Sequence, residues 1–142
     1  MTIKHLRSCL MFALMQLPMQ GWHRCIFARM GGVNVKGRCF IGNKVSFDTV
    51  YPELITIGNG VHITAGVCFL THYLDTKQSD IHWQKGEIII DDRAFIGTGT
   101  IITKPCRIGK NAIVGAGSVV TKNIPDNEIW VGNPARFVRK RE

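Results

Sequence analysis

The chain of 142 residues is short of acidic side chains, with 10 Asp and Glu against 18 Lys and Arg and a net charge of +8. That balance suits an anionic partner: a nucleic acid, a membrane surface or a multiply phosphorylated small molecule. Aromatic residues are also few, 8% of the chain, and none forms a platform beside the basic C-terminal tail, which argues against nucleic-acid binding. There is no CxxC pair and the five cysteines are odd in number, which argues against a disulfide framework or a zinc ribbon. This favours a reducing, cytoplasmic compartment. Long hydrophobic runs are missing too. The apolar run from Cys9 to Leu17 is about half of the ~20 residues that span a bilayer, and no small-residue cleavage pattern follows it convincingly. His62, His72 and His82 stand ten residues apart with no closely spaced pair, so a three-histidine metal site is not expected.

What is present is a repeat. From Ile90 to Pro125 the chain reads IDDRAF IGTGTI ITKPCR IGKNAI VGAGSV VTKNIP, six hexads that each open on an aliphatic residue. A period of six fits neither a helical stripe nor a simple alternating strand, and points instead to short strands broken by turns. The first and fifth positions read as inward-facing, so Cys39 and Cys106 are expected to act as small core residues. The third and fourth collect turn formers such as Thr98-Gly99, Lys110-Asn111 and Ala116-Gly117.

The same phase extends upstream through hexads at Val35, Ile41, Phe47, Ile57, Ile63 and Phe69. Two insertions interrupt it, four residues after the Phe47 hexad and fifteen after the Phe69 hexad, both at the end of a three-hexad turn. Stacking at the usual strand spacing, about 4.8 Å, places Phe47 to Glu53 beside Phe69 to Tyr73. A carboxylate and His72 are thereby expected at one corner. His72 is the candidate general base, because an imidazole titrates near neutrality and can take a proton from a hydroxyl. Asp48, and with lower rank Glu53, is the candidate to orient it or to meet a substrate. The long polar loop 73–89 carries Trp83, a candidate for stacking on a ligand.

Residues 1–32 differ in texture and read as two short amphipathic helices broken at Pro18 and Gly21. Two readings stay open. The favoured one is a cap over the open end of the repeat, and the other is an interfacial or substrate-facing segment carrying Lys4, Arg7, Arg24 and Arg29, in peripheral contact with the inner face of a membrane. Residues 33–125 form the repeat domain, and 126–142 a closing turn at Gly132 to Ala135 followed by a basic tail.

These hexads resemble the hexapeptide-repeat acyltransferases. The resemblance implies a mainly β fold, a left-handed parallel β-helix of about four coils behind the short helical segment. The ITIG segment at Ile55 to Gly58 followed by Thr71-His72 is similar to that of galactoside and maltose O-acetyltransferases, which implies that His72 is the catalytic base. Those relatives carry an acceptor-positioning Asn upstream, and Asp48 stands nearest to it here, differing in residue and spacing. By the same resemblance the backbone at Thr98 supports an oxyanion, while Ala116, Thr121 and Lys122 line coenzyme A and Arg136 and Arg139 reach its phosphates. The family implies acetyl-CoA as co-substrate, a sugar or glycan-precursor hydroxyl as acceptor in surface polysaccharide biosynthesis, and a homotrimer with intersubunit sites. Other acceptors (serine, an aminosugar, an antibiotic) and a non-catalytic scaffold are the alternatives.

Overall fold

A computed structural model describes residues 2–77 and 80–142. Residue 1 of the expected cap and residues 78 and 79 of the expected loop lie outside the described residues. Three parallel ladders dominate. The first stacks Asn34–Val35, Ile55–Ile57, Ile88–Ile90 and Cys106–Ile108. The second stacks Cys39–Ile41, Val61–Ile63, Phe95–Ile96, Ile113–Val114 and Glu128–Val131, and the third Cys68–Phe69, Ile101–Ile102 and Val119–Val120, with Ser46 bridged to Cys68. The chain visits the ladders in the order first, second, third and then begins again.

The register carries the sequence period directly. Ile88 pairs with Cys106, a step of three hexads. Asn34 pairs with Thr56 and Ile55 with Ile88, steps that exceed three hexads by four and by fifteen residues. Both insertions leave the same corner, between the third and first ladders.

The local physics follows from the hexad. All twelve first-position residues are buried, from Val35 through Ile57, Ile96 and Ile108 to Val120, and each such burial is worth about 1.5–3 kcal/mol before ordering costs. At the fourth position the chain enters the left-handed region, at Lys44, Gly60, Gly66, Arg93, Gly99, Asn111 and Gly117. In those seven of the twelve hexads the left-handed residue breaks the short strand and sends the chain to the next ladder. At Asn111 the side-chain amide also bridges neighbouring turns of the repeat, accepting from Arg93 and donating to Asn127.

Two helices, α1 (Ile3–Leu14) and α2 (Gly21–Met30), cover the first turn of the repeat. Phe12 of α1 packs on Phe47 with ring centroids 5.5 Å apart, and α2 packs on Cys39–Ile41. Arg24, 3% exposed, donates to the carbonyls of Met15, Leu17 and Ile41, so it ties the end of α1 to the repeat rather than facing a substrate. Arg29 donates to the carbonyl of Val35.

The structure differs from the cysteine reading in one place. Cys25 of α2 and Cys39 are joined as a disulfide, while Cys9, Cys68 and Cys106 are free. The odd count concealed a pair brought together only by packing a helix on a strand. The case from cysteine usage for a reducing compartment loses its ground.

At the far end the parallel pairing continues beyond Pro125 to Glu128–Val131, and Arg136–Lys140 folds back antiparallel on it after the Gly132 to Ala135 turn. The long insertion is a hairpin, His72–Leu74 against Trp83–Lys85, and Ile88 already stands in the first ladder.

Candidate active site

The corner between the third and first ladders is built around a buried carboxylate. Asp48 follows Phe47, whose ring stacks on Phe69 at 5.0 Å, and this register sets Asp48 across from Leu70, within reach of Thr71 and His72 one turn above. Oδ1 accepts from the amides of Val50 (2.8 Å) and Tyr51 (3.3 Å), a local Asx turn at the end of the Phe47 hexad, just before the four-residue insertion. Oδ2 accepts from the Thr71 hydroxyl and amide and lies 2.6 Å from His72 Nδ1. Burial alone would raise the Asp48 pKa, but the bonds from Thr71, Val50, His72 and Tyr51 outweigh it and hold the carboxyl below its usual range.

The geometry sets the state of His72. A carboxylate accepts only, so Nδ1 must donate to it, and in the neutral ring the lone pair then sits on Nε2. Nε2 has no hydrogen-bond partner among the described residues. The His72 side chain is 34% exposed whereas that of Asp48 is 2% exposed. The ring opens into a depression of about 340 Å³ lined by Val50, Tyr51, Trp83, Gln84 and Lys85. Trp83 stands edge-on to His72 at 5.5 Å and Tyr51 at 6.1 Å, and Lys85 Nζ lies 4.2 Å from the Tyr51 ring centre.

Glu53 does not reach this corner. It lies in the short turn Pro52–Leu54 and lines a cleft with Lys4, His5 and Arg7 of α1. With both its oxygens engaged, Asp48 faces the imidazole and not the depression. Tyr51, Thr71, Gln84 and Lys85 are the corner residues that the sequence reading passed over. Tyr51 occupies the fifth place of its hexad, which signalled proximity, whereas Gln84 and Lys85 arrive through a hairpin pairing that no periodicity marks.

The residues expected to meet a coenzyme occupy other places. Thr98 and Ala116 stand one above the other at the corner between the second and third ladders, joined by the Gly117 amide on the Thr98 carbonyl at 2.7 Å. The amides of Gly97 and Gly99 are engaged by neighbouring turns, but the amide of Thr98 has no partner among the described residues. A Cβ at Gly99 or Gly117 would meet nothing within 4 Å, so this edge is open to a ligand running along it. Lys122 extends over the Trp130 ring at 5.1 Å, close to Thr121.

Arg136 and Arg139 are three residues apart and would point to opposite faces of a regular strand. A register shift between Ile129 and Trp130 changes this. Arg136 pairs with Val131 and Arg139 with Ile129, so both stand on one face.

Cys68 and Cys106 offer no competing nucleophile. Burial raises the Cys68 pKa and pushes that of Cys106 up to about 12, although Ser46 partly offsets the effect at Cys68.

The family model described as bacterial transferase hexapeptide (six repeats) matches residues 87–122. A putative acetyltransferase of Bacillus subtilis, YvoF, is 32% identical over 89% of this chain and 69% of its own length. The chain belongs to the hexapeptide-repeat family of bacterial transferases. Among solved structures, a maltose O-acetyltransferase from Clostridium difficile is 28% identical with a TM-score of 0.73, covering 98% of this chain and 87% of that one. The fold is shared by a galactoside acetyltransferase in complex with coenzyme A, at 22% identity and a TM-score of 0.72 over 98% of this chain and 81% of that one. Curated relatives run longer. The galactoside O-acetyltransferase of Lactococcus lactis, 34% identical over 80% of this chain, is matched over 56% of its length, and a putative acetyltransferase of Schizosaccharomyces pombe over 44%. The chain thus spans about half the length of the first curated relatives it matches.

Proposed function

We propose that the protein is an acetyl-CoA-dependent O-acetyltransferase acting on a sugar hydroxyl, built on a left-handed parallel β-helix of about four coils. The observation that carries this is the 2.6 Å contact of Asp48 Oδ2 with His72 Nδ1, which leaves a basic Nε2 facing an open depression. Bound acetyl-CoA supplies an acetyl group activated as a thioester. His72 Nε2 takes the proton of the acceptor hydroxyl as its oxygen attacks the thioester carbonyl, and returns it to the departing sulfur, so no acyl-enzyme forms. The free Thr98 amide supports the negative charge that develops on the carbonyl oxygen.

The residues present fit the co-substrate. The open Thr98 and Ala116 edge admits a linear pantetheine arm against backbone, with Thr121 beside its far end. Lys122 with Arg136 and Arg139 on one face suits its phosphates. Asp48 fixes the tautomer of His72, and Trp83 with Tyr51 offers ring faces to a pyranose. Asp48 and Glu53 hold no acceptor in this reading.

His72 and Thr98 stand at different corners of one repeat, with the third ladder between them. We propose a homotrimer in which the His72 corner of one copy meets the Thr98 and Ala116 edge of the next. The relatives named for galactoside and maltose support a sugar acceptor, and a role in surface polysaccharide synthesis belongs to the same proposal. Acetyl-CoA turnover against sugars and nucleotide sugars tests it. Acceptor-dependent thiol release that disappears in His72→Ala is expected, and unchanged turnover by that variant overturns the assignment.

A further inference from the structure

The basic charge is gathered at one end of the molecule. Before Asp48 the sequence holds seven Lys and Arg (Lys4, Arg7, Arg24, Arg29, Lys36, Arg38, Lys44) and no Asp or Glu. From Asp48 onward the other 11 basic side chains share the chain with all 10 acidic ones. The helical end and first turn of the repeat therefore carry nearly the whole net charge. Of the seven, Arg24 is buried and the other six are exposed.

The same end exposes apolar side chains in an ordered way. Helix α1 buries Ser8 and Phe12 against the repeat, yet its opposite side presents Ile3, Leu6 and Leu10, which are 88%, 54% and 55% exposed and spaced by three and four residues. Helix α2 exposes Trp22, Ile26 and Met30 at a spacing of four, 49%, 52% and 52% exposed. A helix apolar on both sides is ordinarily covered on both. Here the inner side meets the repeat, while of the exposed apolar side chains Trp22 stands edge-on to Phe40 and His62, with ring centroids 5.7 and 5.9 Å away. Between α2 and the first strands lies a hollow of about 640 Å³, with Trp22 and Ile26 on its wall and Arg29 and Arg38 beside them. Lys4 and Arg7 flank the other helix, in a cleft they share with Glu53.

Charge selects the occupant. A second copy docked through the same face would set two strongly basic ends against each other, whereas an anionic bilayer complements both the charge and the apolar stripes. We propose that the helical end docks on an anionic phospholipid surface, with Ile3, Leu6, Leu10, Trp22 and Ile26 in the headgroup boundary and the surrounding Lys and Arg at lipid phosphates. Among the described residues no helix is long and apolar enough to cross a membrane, so the contact is peripheral. This inference is independent of the acetyl-transfer reading.

The full chain is tested by flotation with phosphatidylcholine vesicles alone and with about 30% phosphatidylglycerol, at about 0.1 M and about 0.5 M salt. Binding to the anionic vesicles is expected, at least about tenfold weaker without the anionic lipid or at the higher salt. Leu6→Gln with Leu10→Gln, and separately Lys4→Glu with Arg7→Glu, should each weaken binding at least about tenfold while melting temperature and mass in solution stay unchanged. Absence of anionic-vesicle binding by the folded wild type, or equal binding by both double variants, overturns the proposal. A smaller assembly for the Leu6 and Leu10 variant, seen by light scattering, overturns it in favour of a second copy as the occupant.

Discussion

Asp48 Oδ2 lies 2.6 Å from His72 Nδ1, across a gap of one turn of the repeat and 24 residues of sequence. The carboxylate is buried and the imidazole half-open, so the pair has a closed side and a reactive side.

Removing the base and removing its support should be distinguishable. His72→Ala should lower kcat by about 10²–10⁴-fold, the range of general-base catalysis, with coenzyme A binding retained. Asp48→Asn keeps the volume but can offer its NH₂ to Nδ1 and so favour the wrong tautomer. It should lower kcat with little change in KM, in steady-state kinetics with acetyl-CoA saturating.

The depressed pKa of Asp48 makes stability depend on pH in one direction. Its folded value lies below 3.8, so its contribution is fully present above 3.8 and is lost as pH falls through the lower folded value. The gap in urea midpoint between the wild type and Asp48→Asn should therefore be constant near neutrality and close at acid pH. A gap that widens on acidification would contradict the assignment.

Two neighbouring glycines should respond differently to a methyl group. A Cβ at Gly97 would run into the backbone of Gly115 and Ala116, which cannot step aside without breaking the second ladder. Gly99 has φ +68 with open space around it, and Lys44, Arg93 and Asn111 hold the same conformation at equivalent places. Gly99→Ala should cost about 1–2 kcal/mol and Gly97→Ala distinctly more, by equilibrium urea unfolding. If Gly99→Ala also raises KM for acetyl-CoA, the open edge is the coenzyme track.

Arg24 should be structural although it is charged and lies in a basic segment. Arg24→Ala leaves the carbonyls of Met15, Leu17 and Ile41 without their donor, at a cost of about 1.5–3 kcal/mol or more. Differential scanning calorimetry should show the loss, whereas Lys4→Ala on the exposed side of α1 should leave the transition in place.

The hexad period by itself marks the core. One aliphatic residue per six can bury itself only if each short strand turns at the same place, and the left-handed fourth positions make seven of those turns. The two breaks in phase located the His72 corner, because an insertion must leave a stacked repeat where a turn already faces solvent. What eluded the reading followed no period. The disulfide of Cys25 with Cys39 depends on how α2 lies on the first strand, and the positions of Gln84 and Lys85 depend on antiparallel pairing inside the insertion.

Sequence alone therefore determined the repeat, its inward residues and the stacking that brings a carboxylate to His72, since all three follow from spacing along one chain. Tertiary structure decided the rest. It chose Asp48 over Glu53 by enclosing one carboxylate among five donors and leaving the other on a helix cleft, and it turned Arg136 and Arg139 to one face through a register shift. Those outcomes depend on side-chain enclosure and strand register, which are properties of packed neighbours and not of order along the chain.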